Sequence, residues 1–107
     1  MKNEYGAELD RNGYAPSIMQ NDMTCLRCGK SSEKLDRHEP FGNANRDKSK
    51  RYGMWCYLCH DNCHLNGVHN KDAAEAMRLK IKCQRIAMKT YGWTKEDFIR
   101  EFGKNYI

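Results

Sequence analysis

The sequence predicts a small α+β domain in which a β-hairpin and two C-terminal helices are stapled by metal-bound sulfur. Three observations predict it. Cysteine and histidine gather in two short clusters, Cys25-Leu26-Arg27-Cys28-Gly29 and Cys59-His60-Asp61-Asn62-Cys63-His64. A chain of 107 residues with 31% charged side chains can build only a thin core, so a staple is needed. Finally, period-two and helical patterns succeed one another without repeats. The six cysteines fit metal better than disulfides. Their knuckle spacing is that of a zinc site, and the first residues, Met1-Lys2-Asn3-Glu4-Tyr5, hold no apolar run of signal-peptide type. No window approaches transmembrane length, so no membrane partner is expected.

Residues 1–22 read as an irregular arm and residues 23–107 as the metal-bearing body. The arm turns at Asn12-Gly13, is extended at Tyr14-Ala15-Pro16, and offers Tyr14, Ile18 and Met19 for docking. The knuckle leads to a short strand at residues 35–38. A basic loop follows, with Gly42, Asn43, Asn45, Arg46, Lys48, Lys50 and Arg51. Residues 52–58 are aromatic and β-favouring and read as the second strand, ending at Cys59. Asp72 and Glu75 predict the N-terminus of a long helix that stops at Gly92. Within it Leu79, Cys83, Ile86 and Ala87 make an apolar stripe, so Cys83 is a buried small residue. Thr94 and Asp97 cap a short last helix, whose apolar side is Phe98, Ile99 and Phe102 and whose end is Gly103.

Cys25 and Cys28 supply half of a closed tetrahedral thiolate site, which contributes folding energy directly. Two registers complete it: Cys59 with Cys63, or Cys56 with Cys59. Strand alternation favours the first, because Cys56 sits inside the aromatic run. His60 reads as a solvated turn residue.

Charge is uneven. Residues 1–22 carry two basic and four acidic side chains, whereas the whole chain has a net charge of +5. The body is thus the cationic part, as in proteins that bind phosphates. Arg78, Lys82, Arg85 and Lys89 recur on one face of the long helix, and Arg46, Lys48, Lys50 and Arg51 form a second basic group. These eight are the candidate nucleic-acid contacts.

Cys-x-x-Cys-Gly, a strand ending in His38, a glycine and asparagine loop, and Leu58-Cys59 followed by Cys63-His64 resemble the HNH endonucleases of ββα-metal, treble-clef-like fold. Asn12-Gly13-Tyr14-Ala15-Pro16-Ser17-Ile18, Arg37-His38-Glu39, Asn45-Arg46-x-x-Ser49 and Phe102-Gly103-Lys104-Asn105-Tyr106 look like a small phage- or prophage-encoded group among them. The likeness covers nearly the whole chain. It implies a metal-dependent DNA endonuclease in a bacterial cytoplasm, with Zn²⁺ on Cys25, Cys28, Cys59 and Cys63. By position, His38 would be the general base, with Glu39 beside it, and Asn45 would orient the base or stand near the ion. Glu39 and His64, with His69 as a further histidine, would hold a catalytic Mg²⁺, Mn²⁺ or similar ion. The chain departs from the usual Asp-His or His-His order with His38-Glu39, so base and ligand can exchange places or Asp36 can take part. Two further readings are a zinc-containing DNA-binding module without cleavage and an accessory protein of phage recombination or packaging.

Overall fold

The computed structural model describes residues 1–31, 34–61, 63–64 and 73–107. Its elements are β1 (Leu35–His38), a single 3₁₀ turn (Asn43–Asn45), α1 (Arg46–Arg51), β2 (Cys56–Cys59), α2 (Ala73–Tyr91) and α3 (Lys95–Phe102). The class is α+β, with a two-stranded antiparallel sheet and three α-helices among the described residues.

β1 and β2 pair Leu35 with Cys59, Asp36 with Leu58, Arg37 with Tyr57 and His38 with Cys56. Residues opposite one another share a face, so Asp36 and His38 lie on the side of buried Leu58 and Cys56. Arg37 goes to the other side, where its guanidinium lies 4.4 Å from the Tyr14 ring centre and 4.9 Å from that of Trp55. Residues 52–55 do not extend the strand. Gly53 has φ +68°, and Met54 N–H donates to Ser49 O at 2.8 Å, which makes this stretch a turn into β2.

The basic segment expected as a loop folds into α1. It has no apolar stripe, and Ser49 is its buried residue, its hydroxyl donating to Phe41 O at 2.6 Å. The arm supplies the rest of the support. Asn3 Nδ2 donates to Arg51 O at 2.8 Å, Ala15 N–H to Lys50 O at 2.9 Å, and Ile18 N–H to Gly53 O at 2.9 Å. Residues 1–22 are therefore irregular in form but fastened by backbone bonds as well as by buried Tyr14 and Met19.

Leu79, Cys83 and Ala87 of α2 are buried against Met54, Cys56, Leu58 and the rings of Phe41, Phe98 and Phe102. In α3, Thr94 and Asp97 form the expected reciprocal cap, and Gly103 ends the helix at φ +87°. Ile99 is a correction: it faces outward, because the buried side of α3 runs through Phe98 and Phe102. The α2 start expected at Asp72 lies outside the described residues.

Candidate metal centre

The knuckle is built by backbone geometry. Gly29, at φ +76°, lets its N–H return to Cys25 O at 2.7 Å, and Cys25 N–H reaches Lys30 O at 2.9 Å. Leu26 N–H donates to Tyr57 O at 2.8 Å, which docks the knuckle on the edge of β2 that β1 leaves open. Cys59 ends β2, and Cys63 follows on a wide helical turn.

Ligand atoms of Cys25, Cys28, Cys59 and Cys63 all lie within 4.8 Å of one another, and Cys28 Sγ is 3.3 Å from Cys59 Sγ. Burial opposes ionisation of Cys25, but the N–H groups of Cys28, Cys59 and Arg27 and the Cys28 thiol hold it down to about 6. Cys59 is pushed up to about 12, first by its hydrogen bond with Cys28, then by burial and the neighbouring Cys25. One thiolate forms readily and resists the next, a repulsion that a divalent cation removes. Arg27 Nη1 adds a contact to Cys63 Sγ at 3.7 Å. Four soft thiol donors in this arrangement fit a metal ion such as zinc. Cys56 and Cys83 stand apart as buried thiols. Burial lifts Cys56 to about 12 and Cys83 well above its ordinary value, so both keep their protons.

Beside this centre, the His38 and His64 rings meet edge to face with centroids 5.2 Å apart. Both line a cleft of about 370 Å³ with Arg37, Glu39, Asn43, Arg46, Ala76 and Lys80. Asp36 Oδ2 lies 2.7 Å from His60 Nδ1 and 2.7 Å from His64 Nδ1. His60 is thus engaged by a carboxylate rather than simply solvated, a partnership that sequence spacing does not reveal.

Other expected site residues are placed differently. Glu39 Oε1 accepts from Arg46 Nε at 2.8 Å, and among the described residues no group of three or more ligands forms outside the four cysteines. Asn45 Nδ2 donates to Phe102 O at 3.1 Å, tying the start of α1 to the end of α3. His69 lies outside the described residues.

Several of the expected cations are engaged within the protein, Arg78 with Glu75 at 3.3 Å among them. Lys48 Nζ bonds Glu101 O at 2.7 Å, Arg51 pairs with Glu4, and Lys50 Nζ lies 4.9 Å from the Tyr14 ring centre. At about 3.6 residues per turn, Arg78, Lys82, Arg85 and Lys89 fall on the side of α2 opposite Ala76 and Lys80. The first three line a separate groove with Leu26, Ile81 and Ile86. Lys80, which lines the cleft with His38 and has its Nζ 5.6 Å from the Tyr106 ring centre, was not singled out by sequence. Its signal is the i, i+4 spacing from small Ala76.

Fold and centre together define a small α+β protein with a four-cysteine group able to hold metal. No protein-family model, curated protein or solved structure matches the chain. No described helix is long and apolar enough to cross a membrane.

Proposed function

We propose that the chain is a metal-dependent phosphodiesterase acting on DNA, of the HNH kind that its motifs resemble, with zinc in the four-cysteine centre. One observation carries the reading: two imidazoles from separate segments, His38 and His64, meet beside a thiol metal centre and open on a cleft rimmed by cations.

In this reading His38 takes the proton of the attacking water, and His64 would be the residue that holds a divalent ion. That ion would neutralise charge building on the phosphate oxygens and the leaving oxygen. Arg46 and Lys80 bring positive charge to the same phosphate backbone. An imidazole donor favours Mn²⁺ or Ni²⁺ over Mg²⁺, which prefers oxygen ligands.

The test is nicking of supercoiled plasmid by the zinc-loaded protein with each ion in turn. Nicking with Mn²⁺ or Ni²⁺, abolished by His38→Ala with unchanged circular dichroism, is the expected result. A second reading, a zinc-containing DNA-binding module without cleavage, draws support from the Glu39–Arg46 pair, which engages the carboxylate beside His38. Salt-sensitive duplex binding with no nicking under any ion would select it.

A further inference from the structure

Arg37 and Tyr57 are paired across β1 and β2 and share the sheet face opposite His38. On that face lies a groove of about 540 Å³, lined by Trp55, Tyr57, Leu9, Pro16 and Met23 among others. The Trp55 and Tyr57 rings meet edge to face with centroids 5.0 Å apart. The Tyr57 ring is half-buried, and Met23 is 67% exposed. Hydrogen bonds fix the arm along the groove. Trp55 Nε1 donates to Ala15 O at 2.8 Å, Ser17 Oγ to Trp55 O at 2.5 Å, and Tyr57 N–H to Gln20 Oε1 at 2.7 Å. Tyr57 O accepts from Leu26 N–H. The edge of β2 is therefore satisfied at Tyr57, and a ligand binds here through side chains rather than as an added strand. A hollow formed in advance also costs a ligand little ordering of the protein.

Charge decides what the groove accepts. The chain carries +5 overall, yet residues 1–22 hold two basic and four acidic side chains. Glu8, Asp10 and Asp22 line the groove, against the single cation Arg37 among its described lining residues. Arg37 is already offset by Asp10 at 2.9 Å and held over the Tyr14 and Trp55 rings. Asp22 Oδ1 accepts from Gln20 Nε2 at 3.1 Å and from Thr24 Oγ1 at 3.0 Å. Both donors are neutral, so no cation among the described residues offsets Asp22. Glu8 pairs with the Met1 amino group at 3.3 Å, a weak pair because both groups are exposed. A phosphate backbone is disfavoured beside these carboxylates. A ligand that joins an apolar part to a cation matches both the rings and the rim.

We propose that this groove docks a basic segment of a partner protein. The segment sets an apolar or aromatic side chain against Tyr57 and Met23, and its lysine or arginine neighbours reach Glu8 and Asp22. The two faces of the hairpin then serve different ligands. The face of His38 opens on the cleft lined by Arg46 and Lys80, and the face of Tyr57 receives a cationic polypeptide. Docking of a partner does not depend on cleavage, so it stands or falls apart from the nuclease reading.

Randomised twelve-residue peptides displayed on phage are selected on the full-length zinc-loaded protein. Enriched peptides are then synthesised and titrated by calorimetry and by proton–nitrogen NMR. They should combine lysine or arginine with leucine or an aromatic residue, and should shift the Trp55 indole N–H and the Glu8 and Asp22 amides. Tyr57→Ser should weaken them about tenfold or more. Glu8→Gln combined with Asp22→Asn keeps the shape of the rim and should weaken them about three- to tenfold, with a flatter salt dependence. An acidic or purely apolar consensus, shifts confined to the His38 cleft, or unchanged affinity in the charge-neutral variant overturns the proposal. Should Tyr57→Ser fail to fold, the charge-neutral variant carries the test alone. Two further results overturn it by naming another occupant. One is single-stranded oligothymidine that shifts the same groove amides. The other is self-association in sedimentation that the charge-neutral variant abolishes, which would make the occupant a second copy of this chain.

Discussion

Arg46 Nε donates to Glu39 Oε1 at 2.8 Å, and this pair joins the residue after β1 to the first residue of α1. The Glu39 side chain is 8% exposed and the Arg46 side chain 61%, so the carboxylate is the inner member. Glu39 is thereby committed to a cation of the protein rather than to a ligand group with His38 and His64. Replacing Glu39 with Gln removes the charge but keeps the shape. We expect Glu39→Gln to leave the Mn²⁺ concentration for half-maximal nicking unchanged and to tighten duplex binding, because Arg46 is released to the phosphates. A several-fold rise in the Mn²⁺ requirement would instead make Glu39 an ion ligand.

The two classes of cysteine should separate by stability. Thiolate-bound zinc contributes on the order of 10 kcal/mol to the folding of small domains, comparable with the whole stability of a chain this size. Cys25→Ser should therefore release the metal and abolish cooperative unfolding near room temperature, and a strong chelator should do the same to the wild type. Cys56→Ala removes one buried sulfur from the core and should cost about 1–2 kcal/mol, with metal content unchanged. Metal analysis together with thermal melts distinguishes the two.

Gly53 joins α1 to β2 with φ +68°, and a Cβ built there would lie 2.2 Å from Pro16 O. Both the backbone conformation and the packing of the arm exclude a side chain. Gly53→Ala should destabilise by ~3 kcal/mol, a fall in Tm of about 10–20 °C. A Gly92→Ala control meets no atom within 4 Å, although its φ of +68° still carries backbone strain, so its cost should be the smaller of the two. Equal losses would mean that the arm does not pack as described.

How much of this was legible in the sequence depends on where each element gets its stability. The knuckle, the β1 span, the α2 stripe and the Thr94–Asp97 cap are encoded within a few residues of themselves, and each stands where the pattern placed it. α1 was not legible. Its ladder is supported from outside by Asn3 and Ala15, and Ser49 gives no apolar signal. The site divides in the same way. Four cysteines with knuckle spacing announce a metal group, and the aspartate two positions before His38 was visible as a neighbour on the same face. The clasp of Asp36 on His60 and the retreat of Glu39 to Arg46 depend on the fold of the turn after β2 and on α1, which no local spacing records.

Acid should weaken the α3 cap in a definite direction. Asp97 is held below the ordinary carboxylate range, chiefly by the Thr94 backbone N–H and then by Arg100. A folded-state value below the unfolded one means that the stabilisation is complete above pH ~4, the unfolded carboxylate range, and is lost as pH falls through the lower folded value. The Tm difference between wild type and Asp97→Asn should be constant from pH 7 to 5 and shrink below pH ~4. Loss of metal in acid affects both proteins alike, so the difference isolates the cap. A difference that grows on acidification would reverse the sign and refute this account.

The cations of α2 offer the sharpest choice between sequence pattern and geometry. By pattern, Arg78, Lys82, Arg85 and Lys89 form the DNA-binding face. By position, Lys80 is the α2 cation that shares a cleft with His38 and His64, while Arg78, Lys82 and Arg85 line a groove on the other side of the helix. Removing one cation from a phosphate should lower the slope of log affinity against log salt by about 0.9. Lys80→Ala should therefore reduce the slope for duplex binding by about one and slow nicking, whereas Lys89→Ala, an exposed site on the opposite face, should change neither. The converse result, with Lys89 carrying the salt dependence and Lys80 none, would move the substrate to the outer face of α2 and away from the paired imidazoles.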